Sequence, residues 1–137
     1  MDFDVLIKTR REFIEKAREN NFDFEAILSG LYTDSSHFIF ELLQNAEDAN
    51  ANHIEFRLLP NQIEVIHDGD DFTFDDVDGI TGIGKPGKRE DVNKIGTFGV
   101  GFKSVFAISK TPHVHSGKYH FSITDFVLPT IIQSISL

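Results

Sequence analysis

The sequence predicts one α+β domain over residues 1–137, built as two layers with helices on one face of a mixed, mostly antiparallel sheet. Three observations lead there. The length suffices for one hydrophobic core but not for two independent ones. Apolar residues recur at helical spacing in two stretches of the first fifty residues, and short β-rich runs follow in adjacent pairs.

Residues 3 to 20 read as an amphipathic helix, with Leu6, Ile7, Phe13, Ile14 and Ala17 on its apolar side, stopped by Asn20-Asn21. A second helix is expected after Asp34-Ser35, both good N-cap residues, running to about Asn50. The runs HIEFRLL and QIEVIH, split by Pro60-Asn61, signal a hairpin, which Asp68-Gly69-Asp70-Asp71 breaks. FTFDDVDGI fits a short helix. After a glycine-rich stretch comes a helix in GVGFKSVFAIS, then strands near PHVHS and KYHFSI around Gly117. No repeat or low-complexity linker interrupts this order.

A hydrophobic fraction of 40% and fourteen phenylalanines fit a folded globular chain. The absence of cysteine excludes disulfides and thiolate metal sites, and fits the cytoplasm. The start, Met-Asp-Phe-Asp, lacks the character of a signal peptide, and no apolar run approaches the roughly 18 residues of a membrane span. A net charge of −9 argues against nucleic acid as a partner, since that affinity rests on basic surface. The charge is uneven: Asp68–Asp78 holds six acidic residues and no basic one, whereas Gly82–Lys103 holds Lys85, Lys88, Arg89, Lys94 and Lys103.

Seven of the ten glycines fall between Gly79 and Ser104. Glycine is entropically costly to order, so such a concentration points to sharp turns or close approach to a ligand. Gly82–Lys88 imitates a P-loop, but Arg89 stands where a Ser or Thr must reach magnesium, and no buried strand precedes it. Gly96-Thr97-Phe98-Gly99-Val100-Gly101 is better placed, because it leads into a helix whose first amides could face a polyphosphate, with Lys103 adding charge. A tight turn before a helix would also explain it.

On the second helix, Glu41, Asn45 and Asp48 fall within about 60° of one another, bordering an apolar side of Phe38, Leu42, Ala46 and Ala49. Taken alone this strip also fits a solvated helix face. His113 and His115 would share a strand face, but without a third ligand they read as ordinary histidines.

Together these segments resemble the GHKL superfamily of ATP-binding domains over about residues 30 to 110. Glu41-Leu-Leu-Gln-Asn45-Ala-Glu-Asp48-Ala49 is similar to its E-x-x-x-N-x-x-D-A motif, and Gly96–Gly101 to its G-x-x-G-x-G motif, with Asp68-Gly69 between them after a strand. The wording GTFGVGFKSVF looks most like the branch holding sacsin and the heat-shock-protein-90-like ATPases.

The resemblance implies the Bergerat fold, an ATP/ADP site and Mg²⁺. Asn45 would be the metal ligand and Glu41 the catalytic base; Asp48 would support the site and Ala49 leave room beside the base. Asp68 would accept the adenine amino proton and Gly69 let the backbone come close. The implied cofactor-binding set is completed by Phe72, Lys94, Gly96, Thr97, Phe98, Gly99, Val100, Gly101, Phe102 and Lys103.

The sequence departs from that pattern in the middle motif, usually D-x-G-x-G. Keeping Gly69 and Phe72 in register puts His67 at the first position and Asp71 at the second glycine. A later strand carrying a threonine finds no match, which implies a fragment of a longer, chaperone-like or defence-type protein. Slow or absent hydrolysis by the chain alone is then expected, because downstream domains would supply lid closure and a basic residue. Expected partners are those domains, an adenine nucleotide and protein clients, with room for dimerisation and no membrane. The alternative reading is a non-hydrolysing nucleotide-dependent switch or protein-interaction module. A histidine-kinase domain fits less well, since Asp48 stands where those carry lysine.

Overall fold

The computed structural model describes residues 2–23, 37–82 and 102–134. Helix α1 (Phe3–Glu19) starts where Asp2 accepts a hydrogen bond from the Val5 amide at 2.9 Å, with Asp4 in its first turn and Lys16 and Arg18 in its last. Both ends therefore complement the helix dipole. It stops at Asn21, which adopts the left-handed conformation (φ 55°) while the Phe22 amide bonds back to the Ala17 carbonyl at 2.8 Å. Helix α2 (His37–Asp48) ends the same way, with Asn50 at φ 61° and the Ala51 amide on the Ala46 carbonyl at 2.9 Å.

Strands β1 (Ile54–Leu58) and β2 (Ile63–His67) form the expected antiparallel hairpin, closed by a 2.9 Å bond from the Leu59 amide to the Gln62 carbonyl around Pro60-Asn61. Helix α3 (Phe74–Thr81) begins with a capping box. The Thr73 hydroxyl accepts from the Asp76 amide at 3.2 Å, and the Asp76 carboxylate accepts from the Thr73 amide at 2.8 Å. A 3-10 helix (Phe102–Ala107) then leads to β3 (His113–Ser116), β4 (Tyr119–Thr124) and β5 (Leu128–Ile131).

The α+β class holds: helices combine with antiparallel ladders throughout. The single sheet expected from the sequence does not. The described strands make two sheets, β1-β2 and β3-β4-β5. Beyond β2 the backbone leaves its ladder, with the Asp70 amide bonding the Ala49 carbonyl at 2.7 Å at the end of α2.

Two further differences have local causes. The expected helix after the glycines is 3-10 over its described part, a geometry that eclipses positions three apart and sets Phe102 and Val105 on one side, both buried. Strand β5 was not anticipated because it contains Pro129, which donates no ladder bond; it is tolerated on an edge strand, opposite Ile123.

The core sits on one face of the three-stranded sheet. Val114, Tyr119, Phe121 and Ile123 meet Leu6 of α1, Phe38 of α2, Val77 and Ile80 of α3, and Phe102 and Val105 of the 3-10 helix. The Phe3 ring closes one side, 5.7 Å from Tyr119 and 5.4 Å from Phe121. A smaller cluster of Ile14, Ala17 and Val127 joins the end of α1 to the β4–β5 turn. Arg10 ties α1 to α3: its guanidinium meets the Asp78 carboxylate at 2.5 Å and the Asp78 carbonyl at 3.0 Å.

Candidate functional site

Helix α2 organises the site. Phe38 and Ala46 are buried and Leu42 packs on the core, so the adjoining strip of Glu41, Asn45 and Asp48 is held half-buried at the edge of the packed region. Glu41, Asn45 and Asp48 are all half-buried there. The proposed N-cap at Asp34-Ser35 lies outside the described residues.

At the C-terminal end of α2 the chain returns through Gly69. A Cβ on residue 69 would stand 2.7 Å from the Ala49 carbonyl oxygen and 3.0 Å from the Ala49 Cβ, so only glycine fits. Asn50 donates from Nδ2 to the Asp70 carboxylate at 2.9 Å, fastening the same junction. Thus Ala49 and Gly69, 20 residues apart in sequence, are in contact.

Asp68 is turned toward the α2–β1 connection. Its Oδ1 accepts from the backbone amides of Asn52 at 2.8 Å and His53 at 2.9 Å, and Oδ2 lies 3.4 Å from His53 Nδ1. Those amides, His53 first and then Asn52, hold its carboxyl below the ordinary carboxylate range. His67 accepts the Gly69 amide on Nδ1 at 3.0 Å, which leaves its proton on Nε2 and makes its outer edge a donor. Phe72 is half-buried against the core, and its amide donates to Ser116 Oγ at 2.7 Å.

The 3-10 helix packs directly against α2. This brings the residues that follow the glycine motif beside the helix carrying Glu41, Asn45 and Asp48. Lys94, Gly96, Thr97, Phe98, Gly99, Val100 and Gly101 lie outside the described residues.

Phe102 is part of the core, and Lys103 is nearly sealed at 2% exposure. The Lys103 ammonium donates to the Ile80 carbonyl at 2.9 Å and the Phe126 carbonyl at 2.7 Å. Desolvation, helped by the charge of Arg10, lowers its pKa from 10.5 to about 7. Two carbonyls match the two N–H bonds of a neutral amine, whereas an ammonium adds a third hydrogen and a charge that burial disfavours. The lysine expected to lend charge to a phosphate thus ties α3 and the β4–β5 turn to the 3-10 helix.

A shallow groove of about 310 Å³ lies on the opposite side of α2, lined by Leu43, Ala46, Glu47, Ala51, Asn52, His53 and Ile54. It contains none of the expected site residues. No described helix is long and apolar enough to cross a membrane.

One grouping escaped the sequence reading. His115 pairs across the ladder with His120, and their Nδ1 atoms stand 2.8 Å apart. The signal was present in HSGKYH, because a tight turn at Gly117-Lys118 places 115 and 120 opposite each other.

The sacsin domain family model matches residues 63–134, just over half of the chain. Protein NO VEIN of Arabidopsis thaliana is 34% identical over 113 residues, covering 74% of this chain. Sacsin of Homo sapiens is 34% identical over 111 residues, covering 69% of this chain. The chain spans only 4% of the length of the first relative and 2% of the second. No solved structure matches. The family match reaches from β2 through α3 and the 3-10 helix to the end of the three-stranded sheet, and the chain belongs to the sacsin domain family.

Proposed function

We propose that this domain binds an adenine nucleotide with Mg²⁺ in a GHKL-type, Bergerat-fold site, and hydrolyses ATP as one module of a longer chaperone-like or defence-type protein. The observation that carries this reading is the convergence on α2. The 3-10 helix that follows the glycine motif packs along it, and Gly69 of the middle motif touches its end at Ala49. Two segments distant in sequence thereby border one helix bearing a half-buried carboxylate, amide and carboxylate at 41, 45 and 48.

These donors fit the group. Asn45 offers an amide oxygen, the hard ligand that Mg²⁺ accepts beside phosphate and water. Glu41, one turn earlier, serves as the base that takes a proton from the attacking water. The metal, when bound, supplies charge neutralisation at the phosphates. An adenine amino group needs an acceptor; His67 presents a donor edge, so Asp68 through Oδ2 is the better candidate of the two.

Calorimetric titration with Mg-ATP tests the reading. Asn45→Ala should weaken binding about tenfold or more, the equivalent of one lost contact to a charged group of roughly 1.5 kcal/mol. Unchanged affinity in that variant would remove Asn45 from the site.

A nucleotide-dependent switch that binds without hydrolysis is the second reading. It is favoured by the engagement of Asp68 Oδ1 with the Asn52 and His53 amides, which uses half of the carboxylate for structure. Phosphate release from a longer chain, compared with this one, separates the two.

A further inference from the structure

The outer face of the three-stranded sheet carries a row of imidazoles unconnected with α2. His113 and His115 alternate with the buried Val114, so both project from the face away from the core. The antiparallel register sets His120 directly opposite His115, where facing side chains start only about 5 Å apart. Their rings lie 5.1 Å apart and tilted by 50°, with Nδ1 aimed at Nδ1 across 2.8 Å. Both residues are half-buried.

The facing Nδ1 atoms share a hydrogen bond at 2.8 Å; a small opening and turn of the rings brings both nitrogens onto one metal, whose imidazole bonds of about 2.0–2.1 Å set neighbouring tetrahedral ligands roughly 3.3 Å apart. We propose that His115 and His120 form a two-histidine site for a divalent late transition-metal ion, Zn²⁺ or Cu²⁺. Without metal, one Nδ1–H donates to the other Nδ1. For both nitrogens to ligate, that proton leaves Nδ1 and a proton is taken up at Nε2 of the same ring, so the pair stays neutral and each Nδ1 keeps a lone pair for the ion.

Both imidazoles ligate in their neutral form. Among the described residues no group of three or more His, Asp or Glu is placed to hold a metal, so water or an external donor completes the coordination. Imidazole suits these borderline ions and not Mg²⁺, which prefers oxygen. The site is therefore chemically separate from the proposed nucleotide site.

The chain contains no cysteine, so thiolates cannot obscure the measurement. Chelator-treated, nucleotide-free protein is titrated with Zn²⁺ and with Cu²⁺ by calorimetry, beside His115→Asn, His120→Asn and, as control, His53→Gln. Asparagine preserves a hydrogen-bonding group near the Nδ1 position but ligates these metals poorly. The expected result is one equivalent bound by the parent and by His53→Gln, weakened about tenfold or more in either asparagine variant, at least the loss seen when an outer-shell partner is removed. Nitrogen-15 imidazole spectra of the parent chain give an answer that needs no variant: Zn²⁺ should shift the Nδ1 signals of two histidines. Absence of saturable binding, binding that survives both asparagine substitutions, or shifts spread over all six histidines overturns the proposal.

Discussion

Gly69 lies against Ala49 so closely that a side chain at 69 would reach 2.7 Å from the Ala49 carbonyl oxygen. The atom in the way is backbone at a helix end, so it cannot rotate aside. Gly69→Ala should therefore destabilise the domain by about 1–3 kcal/mol, the usual cost of overpacking, in chemical denaturation. A variant as stable as the parent would mean that α2 and the β2 exit are not fixed to each other.

Lys103 should give the domain an unusual alkaline dependence. Its folded pKa of about 7 lies below its ordinary 10.5, so between these values the unfolded chain holds a proton that the folded chain lacks. The stabilising effect is fully present above about 10.5 and is lost as pH falls through about 7. Denaturant midpoints measured from pH 7 to 10 should rise with pH, and Lys103→Met should abolish that slope. Met also strands the Ile80 and Phe126 carbonyls, at about 1–3 kcal/mol each if water cannot reach them.

The opposite sign applies to Asp68. Its folded pKa is depressed, so its contribution is present above its ordinary 3.8 and lost as pH falls through the lower folded value. Asp68→Ala should speed amide hydrogen exchange at Asn52 and His53, whose N–H groups it accepts, at neutral pH. Unaltered exchange at both amides would show that the carboxylate does not hold the α2–β1 connection.

Glu41→Ala should separate chemistry from binding. In a chain that turns over ATP, nucleotide affinity should persist while the rate falls about 10²–10⁴-fold, the usual range for a general base. Parallel loss of affinity and turnover would assign Glu41 to support of the helix instead.

Much of the fold was legible where signals are local. The paired asparagines at 20 and 21 mark the end of α1 by chemistry that acts within a few residues. The Pro60-Asn61 hairpin and the turn at Gly117 are local in the same sense. Pro129 hid β5 because a ladder partner six residues away, Ile123 across the turn, outweighs its local preference. Lys103 differs: its place beside a glycine motif signals charge, whereas the hydrogen bonds to the carbonyls of Ile80 and Phe126, each 23 residues distant, leave no local mark. The Glu41, Asn45 and Asp48 strip was readable from helical angle alone, whereas the contact of α2 with the 3-10 helix is tertiary and left no mark in either segment.

The bond from Lys103 to Ile80 has a topological consequence. Residues before Gly82 and after Gly101 contribute to one core, Leu6, Phe38, Val77 and Ile80 from one side and Phe102, Val105, Phe121 and Ile123 from the other. The buried Lys103 amine thereby couples the part of the core that ends at Ile80 to the part that begins at Phe102. The two parts, made as separate polypeptides, should find each other and reassemble the same core.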